Sequence, residues 1–96
     1  MRTNEKKYKD YGFVEGEAKQ LKLYCRSPDF TKDEERILWQ AAEMSNPVLK
    51  ELLFKSVRYN TGYYKLRDES YIPLPARDFY GYQRLCLYHL KRMMQK

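Results

Sequence analysis

Apolar residues recur every three or four positions along most of this chain, a spacing that places side chains on one face of an α-helix. The pattern first predicts a helix from about Glu15 to Arg26, with Ala18, Leu21 and Cys25 on its apolar face. No stretch carries a clear strand alternation, and no internal repeat or linker divides the sequence. The pattern therefore favours a single helical domain.

A second helix is predicted to open at Thr31. Thr31 and Glu34 stand three residues apart, the spacing of a capping box in which each side chain accepts a hydrogen bond from the other residue's backbone amide. Asp33, Glu34 and Glu35 also suit a first turn, because the helix dipole stabilises acids there. The apolar stripe of this helix is Ile37, Leu38, Ala41 and Ala42.

Three further segments complete the pattern. Asn46 and Pro47 predict the start of a third helix, which runs to about Arg58. Its buried residues are predicted to be Val48, Leu49, Leu52, Leu53 and Val57. Residues 63–70 predict about two turns of helix, and residues 71–75 an extended segment, because a residue that precedes proline is kept out of the helical region. The last helix begins near Ala76.

The fold class predicted by these elements is all-α, a compact bundle of four to five helices with a C-terminal helix-turn-helix-like unit. Residues 1–96 form one small domain, with residues 1–10 as a frayed basic arm. The predicted core is Leu21, Ile37, Leu38, Leu52, Leu53, Val57, Phe79, Tyr82, Cys86 and Leu90. Trp39 lies off the apolar stripe of its helix, so it is either the edge of the core or an exposed anchor for a partner.

The last helix has two faces of different chemistry when successive residues are placed about 100° apart. Its core face is Phe79, Tyr82, Cys86, Leu90 and Met93. The opposite face, which we predict to be free, is Arg77, Tyr80, Gly81, Arg84, Tyr88, Lys91 and Gln95. Gly81 is unusual there, since glycine inside a helix costs about 1 kcal/mol relative to alanine. It is compatible with close approach of another molecule or of a neighbouring helix.

Charge is distributed unevenly along the chain. The net charge is +6, and residues 77–96 alone hold five Lys or Arg and one Asp. Residues 1–10 carry about +2, whereas the second helix, residues 31–44, carries −2. A basic helix in a small domain favours an anionic partner, nucleic acid first, with an ordinary solvated surface as the alternative.

Several classes of function are disfavoured. No apolar run approaches the ~18 residues of a membrane span, and no secretory h-region is visible. Cys25 and Cys86 predict two reduced thiols in a cytoplasmic protein. Cys86 and His89 share a helix face, but four zinc ligands or an oxyanion loop are not available to them. We therefore expect no enzyme activity, no catalytic residue, no cofactor and no metal.

The cationic face suits a helix that enters the DNA major groove. The N-terminal residues of such a helix reach base edges, while cations farther along hold phosphates. Arg77, Tyr80 and Arg84 would then approach bases or nearby backbone. The phosphate-holding residues would be Lys91, Arg92 and Lys65, and the whole candidate nucleic-acid set is Arg77, Tyr80, Gly81, Arg84, Tyr88, Lys91, Arg92 and Lys65.

Residues 59–93, "YNTGYYKLRDESYIPLPARDFYGYQRLCLYHLKRM", resemble the C-terminal helix-turn-helix of sigma-70 region 4-like proteins. They resemble more particularly the ArpU-like transcriptional regulators of phages and mobile elements of Gram-positive bacteria. Comparable positions are Gly62, Tyr63, Leu66, Ile72, Phe79, Tyr80, Arg84 and Leu87. The first helix of the motif is short here, and two prolines replace the small residues of the turn. The resemblance implies a double-stranded DNA-binding transcriptional regulator that uses the last helix for recognition.

Two alternatives remain open on the sequence. The acidic second helix with Trp39 suits a protein-interaction module that binds a host polymerase, such as RNA polymerase, or a nuclease. The ten tyrosines suit an RNA-associated protein, in which they would act as stacking platforms.

Overall fold

Five α-helices and no strands make up the part of the chain that the computed structural model describes, residues 5–95. A short 3-10 turn, Tyr8–Tyr11, precedes them. The helices are α1 Glu17–Cys25, α2 Lys32–Ser45, α3 Lys50–Arg58, α4 Tyr63–Glu69 and α5 Ala76–Met94. The radius of gyration is 12.5 Å, so the predicted all-α bundle is confirmed.

Helix α5 is the central element of the bundle. It packs most extensively against α2, and it also contacts α1, α3, α4 and the 3-10 turn. Phe79 and Leu90 on α5, together with Leu38 on α2 and Leu53 on α3, are fully buried. Because α5 is the longest helix and touches every other one, six of its residues are buried.

Local capping signals position the first turns of the middle helices. Thr31 Oγ1 accepts from the Glu34 amide at 3.1 Å, and a Glu34 carboxylate oxygen accepts from the Thr31 amide at 2.9 Å. The predicted capping box is therefore confirmed. Asn46 Oδ1 accepts from the amides of Val48 and Leu49. Pro47 lies in this capping turn, and α3 begins only at Lys50.

The late start of α3 corrects one core prediction. Val48 was predicted to be buried, but its side chain is 83% exposed. It lies in the turn before the helix, so it does not follow the helical stripe that buries Leu49, Leu53 and Val57. The helical spacing had been counted from Pro47, three positions too early.

The other core predictions divide into a buried set and an edge set. Leu38, Leu53, Val57, Phe79, Cys86 and Leu90 are buried. The edge residues, which are partly buried and pack against that cluster, are Leu21, Ile37, Leu52 and Tyr82. Trp39 is 36% exposed, and its ring meets the Phe54 ring edge-to-face at 5.7 Å. Trp39 is therefore an exposed residue that contacts the core through the partly buried Phe54.

Arg58 joins three helices near the C-terminal end of α1. Its Nε donates to a carboxylate oxygen of Glu35 at 2.9 Å, and its Nη1 donates to the Cys25 carbonyl at 2.9 Å. The guanidinium also lies 5.2 Å from the ring centre of Phe30. These contacts satisfy the last carbonyl of α1 and hold α1, α2 and α3 together.

The N-terminal segment, defined here as residues 5–16, packs onto the bundle. Residues 1–10 were predicted to form a frayed arm. Residues 1–4 lie outside the described residues, whereas Tyr8–Tyr11 forms one 3-10 turn. Tyr11 and Phe13 bury their rings against the core, leaving 8% and 6% exposed. Burial of two aromatic rings supplies the reason that this polar stretch is held in place.

The order of α4, an extended connection and α5 agrees with the predicted element boundaries. Tyr63 links α4 to the connection, because its hydroxyl donates to the Leu74 carbonyl at 2.6 Å. The helix-turn-helix character of this unit stays a prediction. Within residues 5–95, no helix is both long and apolar enough to cross a bilayer.

Candidate nucleic-acid interface

Lys91 was predicted to face solvent, but the structure places it under the N-terminal segment. Its ammonium group donates to the Gly12 carbonyl at 3.1 Å and to the Glu17 carboxylate at 3.0 Å. It also lies 4.7 Å from the ring centre of Phe13. Lys91 therefore holds the segment against α5 rather than presenting a charge to solvent.

Two more residues of the predicted cationic face are engaged in the same way. Arg84 Nε donates to the Lys6 carbonyl at 2.8 Å, and the Tyr88 ring lies 5.1 Å from the Tyr11 ring. The prediction of a free face on α5 is therefore wrong for these positions. The physical reason is that the aromatic rings of the N-terminal segment need burial, and α5 offers the surface that covers them.

Gly81 and Tyr80 also have surroundings that differ from the prediction. Gly81 is buried, so it does not provide an outward point of close approach. The Tyr80 hydroxyl accepts a hydrogen bond from the Tyr63 amide at 3.0 Å. Gln83, which the helical projection had not assigned to the core, is only 5% exposed. Elements pack on several sides of α5, so its buried sector is wider than one apolar stripe.

Arg77, by contrast, is exposed at the first turn of α5. It lines a groove of about 510 Å³ together with Lys7, Tyr8 and Arg84, and with the acid Glu5. The structure therefore brings one N-terminal cation, Lys7, beside the beginning of the predicted recognition helix.

A second groove, of about 600 Å³, runs between the N-terminal segment and α1. Tyr8 lines both this groove and the first one. The Lys22 ammonium lies 5.3 Å from the ring centre of Tyr8. Lys22 and Arg26 in turn line a third, smaller groove of about 260 Å³ beside Tyr80. The three grooves are thus contiguous through shared residues.

We call the cations that line these grooves the cationic surface. They are Lys7, Lys9, Lys19, Lys22, Arg26, Arg77 and Arg84. Among the described residues, the acids that line the same grooves are Glu5 and Glu15. An excess of cations along connected grooves produces a positive potential that attracts polyanions.

Two predicted residues stand apart from the cationic surface. Lys65 is exposed on α4 and lines none of the three grooves. Arg92 is exposed, donates to the Tyr88 hydroxyl at 3.0 Å, and lines a separate groove with His89 and Met93. The predicted set of eight therefore does not form one surface.

The lysines and arginine of the N-terminal segment and α1 were missed by the sequence prediction. Lys7, Lys9, Lys19, Lys22 and Arg26 complete the cationic surface. The net positive charge of residues 1–10 was the one available signal. This charge did not indicate where the segment would pack, because the contacts of the segment with α5 join residues that are far apart in the sequence.

The thiols and the histidine are placed in surroundings that oppose their charged forms. Burial raises the pKa of the Cys25 thiol to about 11 and raises the pKa of Cys86 further. Burial, and then the nearby Arg92, lowers the pKa of His89. Within residues 5–95, no three potential metal ligands cluster. Cys86, three residues before His89 on α5, is thus a core residue whose thiolate form is disfavoured.

The cations that line these grooves, of about 260–600 Å³, can attract anions. Comparisons with protein-family models, with curated proteins and with solved structures found no match for this chain.

Proposed function

We propose that this protein is a small DNA-binding protein, a transcriptional regulator of the phage or mobile-element type, which acts in the cytoplasm. The observation that carries the proposal is the contiguity of the cationic surface across three grooves. Seven Lys or Arg side chains line it, against two acids among the described residues. Binding, rather than catalysis, is the function that such a surface supports.

Two kinds of contact are expected from this surface. Arg77 is exposed at the N-terminal turn of α5, the place from which a recognition helix reaches base edges. Lys7, Lys9 and Lys19 lie on neighbouring elements, where cations hold phosphates and fix the register of the protein on DNA. The proposal keeps Arg77, Tyr80 and Arg84 at the interface and moves the phosphate contacts from Lys91, Arg92 and Lys65 to the N-terminal segment and α1.

Binding to double-stranded DNA over a range of salt concentrations tests this proposal. Neutralisation of several phosphates predicts that the logarithm of the affinity falls linearly with the logarithm of the salt concentration. Arg77→Ala should weaken binding to a preferred sequence by about 1–3 kcal/mol. Arg92→Ala is the matched control, because it removes an exposed arginine of the same helix that lies off the cationic surface.

Lys9→Ala should weaken binding to all sequences about equally and lower the salt slope by roughly one. Single-stranded RNA is tested in parallel. A preference for it over duplex DNA would support the alternative of an RNA-associated protein. An absence of DNA binding by the wild-type protein at low salt would overturn the proposed function.

A row of aromatic rings supports a second candidate, a module that binds a host protein such as RNA polymerase or a nuclease. The Trp39, Phe54 and Tyr59 rings follow one another edge-to-face, with centres 5.7 Å and 6.0 Å apart. Tyr59 is 61% exposed, and aromatic side chains are the usual anchors of protein interfaces. Co-purification of one stoichiometric partner that survives nuclease treatment and is lost in Trp39→Ala would favour this candidate.

A further inference from the structure

The third groove differs from the other two because its floor is made of buried polar groups. Gln83 and Ser56 are 5% and 2% exposed, and Gln83 Nε2 donates to Ser56 Oγ at 2.7 Å. Both residues line the groove, which has a volume of about 260 Å³. We call this groove the polar pocket.

The Gln83 amide has unused hydrogen-bonding capacity in this pocket. A side-chain amide has two N–H donors and an oxygen acceptor. The bond to Ser56 uses one donor, and among the described residues no partner is found for the second N–H or for Oε1. Buried polar groups are almost always paired in folded proteins. The Gln83 amide, which lines the groove, is therefore able to form hydrogen bonds with a ligand that enters it.

Further donors surround the same space. The Tyr80 oxygen accepts from the Tyr63 amide, so its own proton remains to donate. The Ser56 oxygen accepts from Gln83, so the proton of the serine hydroxyl also remains to donate. Lys22 and Arg26 line the wall, and no carboxylate lines the pocket among residues 5–95. The pocket thus combines two positive charges with several neutral donors.

We infer that the polar pocket binds one phosphate group. A tetrahedral phosphate has enough oxygen atoms to contact two cations and to accept from the hydroxyl and amide donors together, whereas a carboxylate has only two oxygen atoms. Lys22 and Arg26 also line the second groove, so the pocket is continuous with the cationic surface. The expected occupant is a phosphate of the bound DNA backbone, an assignment that rests on the proposed function. A free phosphate ion is the other source of the same chemistry.

A titration with inorganic phosphate tests the pocket without DNA. Backbone and side-chain amide NMR signals of the whole chain are followed while phosphate replaces chloride at constant ionic strength. Saturable shifts are expected at Thr61, Gly62 and the Gln83 side chain, which line the pocket. Linear shifts without saturation, or shifts spread evenly over the surface lysines, would overturn the inference.

The variant Lys22→Gln should weaken phosphate binding about tenfold, because it removes a charge-assisted hydrogen bond. Lys19→Gln is the matched control. Both lysines lie on α1 and line the second groove, but only Lys22 lines the polar pocket. Equal weakening by the two variants would show general attraction by surface charge and would overturn the inference.

A second pair of variants removes a hydroxyl instead of a charge. Tyr80→Phe should weaken phosphate binding about tenfold. Tyr63→Phe also deletes a hydrogen-bonded tyrosine hydroxyl, the one on the Leu74 carbonyl, but that residue does not line the pocket. Thermal melts of both variants show whether the chain remains folded. Unchanged phosphate binding in a folded Tyr80→Phe protein would overturn the inference.

Binding of a DNA duplex by the same four variants identifies the source of the phosphate. If the pocket holds a DNA phosphate, Lys22→Gln and Tyr80→Phe should weaken duplex binding more than Lys19→Gln and Tyr63→Phe do. Phosphate binding without DNA binding would support the pocket and overturn the proposed function. DNA binding that none of the pocket variants affects would support the proposed function and overturn the assignment to DNA.

Discussion

The Lys91 ammonium group and the Glu17 carboxylate lie 3.0 Å apart, and this ion pair joins the C-terminal part of α5 to the first residue of α1. The same carboxylate accepts a hydrogen bond from the Val14 amide at 3.0 Å. A lysine that the sequence suggested for DNA phosphates is thereby used to hold the N-terminal segment in place. Its removal should affect folding before it affects binding.

Glu17→Gln should lower stability in a pH-dependent way. The Val14 amide first, and the Lys91 ammonium second, lower the pKa of Glu17 below its ordinary value in the folded state. The charged carboxylate therefore contributes stability that is complete above the unfolded pKa, about 4.3, and is lost as pH falls through the folded pKa. Urea denaturation at several pH values should show the variant less stable at neutral pH and equal to the wild type in acid.

Glu15→Gln is the control for that series, since Glu15 is an exposed acid two positions away. It should leave the denaturation midpoint nearly unchanged at each pH. A deficit of Glu17→Gln that stays constant from neutral to acidic pH would contradict the proposed role of its charge.

Phe79→Ala should destabilise the protein by about 3–5 kcal/mol, because a fully buried phenyl ring leaves a cavity between α5 and its neighbours. The measurement is chemical denaturation of both proteins. Tyr71→Ala, which truncates an aromatic residue that is 86% exposed, should change stability by no more than about 0.5 kcal/mol. Similar stabilities for the two variants would mean that α5 is turned the other way.

Arg58→Ala should cost about 2 kcal/mol or more, since it leaves Glu35 without its cation and the Cys25 carbonyl without its donor. Arg36→Ala provides the contrast. Its partner is Asp33 at 3.1 Å, but the two side chains are 78% and 85% exposed. Removal of such an exposed pair should cost about 0.5 kcal/mol or less. Denaturation curves that rank Arg36→Ala as the more damaging change would contradict this account.

Both cysteines should be slow to react with iodoacetamide in the native protein. Cys25 and Cys86 are unpaired and buried, which confirms the prediction of two free thiols. Burial raises the pKa of Cys25 to about 11, so little of the reactive thiolate exists at neutral pH. Mass spectrometry should show alkylation that accelerates in denaturant, and a reductant should leave the melting temperature unchanged. Rapid labelling of Cys86 without denaturant would refute its burial.

Local signals allowed the helices to be predicted from the sequence. The capping box at Thr31 involves residues three apart, and the start of α5 at Ala76 follows a proline pair that excludes helix. Such signals are fixed by neighbouring residues, so they do not depend on the rest of the fold. Val48 was predicted to be buried because α3 was expected to begin at Pro47, whereas it begins at Lys50 and leaves Val48 exposed.

The candidate site could not be predicted in the same way. The bond from Arg84 to Lys6 spans 78 residues, and the bond from Lys91 to Gly12 spans 79. A helical projection of α5 considers that helix alone, so it cannot show which face another segment will cover. Gln83 was missed for a related reason, because a polar residue becomes a core residue only when a partner such as Ser56 is packed beside it.

These long-range bonds also set an order for folding during synthesis. The N-terminal segment is made before α1–α4, but its partners Arg84 and Lys91 are made after these four helices. Until α5 leaves the ribosome, the rings of Tyr11 and Phe13 have no α5 surface to cover them. Contacts between residues that are distant in sequence form only after the chain has lost the entropy of closing the loop between them. We expect the N-terminal segment to be accessible to chaperones on the nascent chain and to become protected only when α5 has been released.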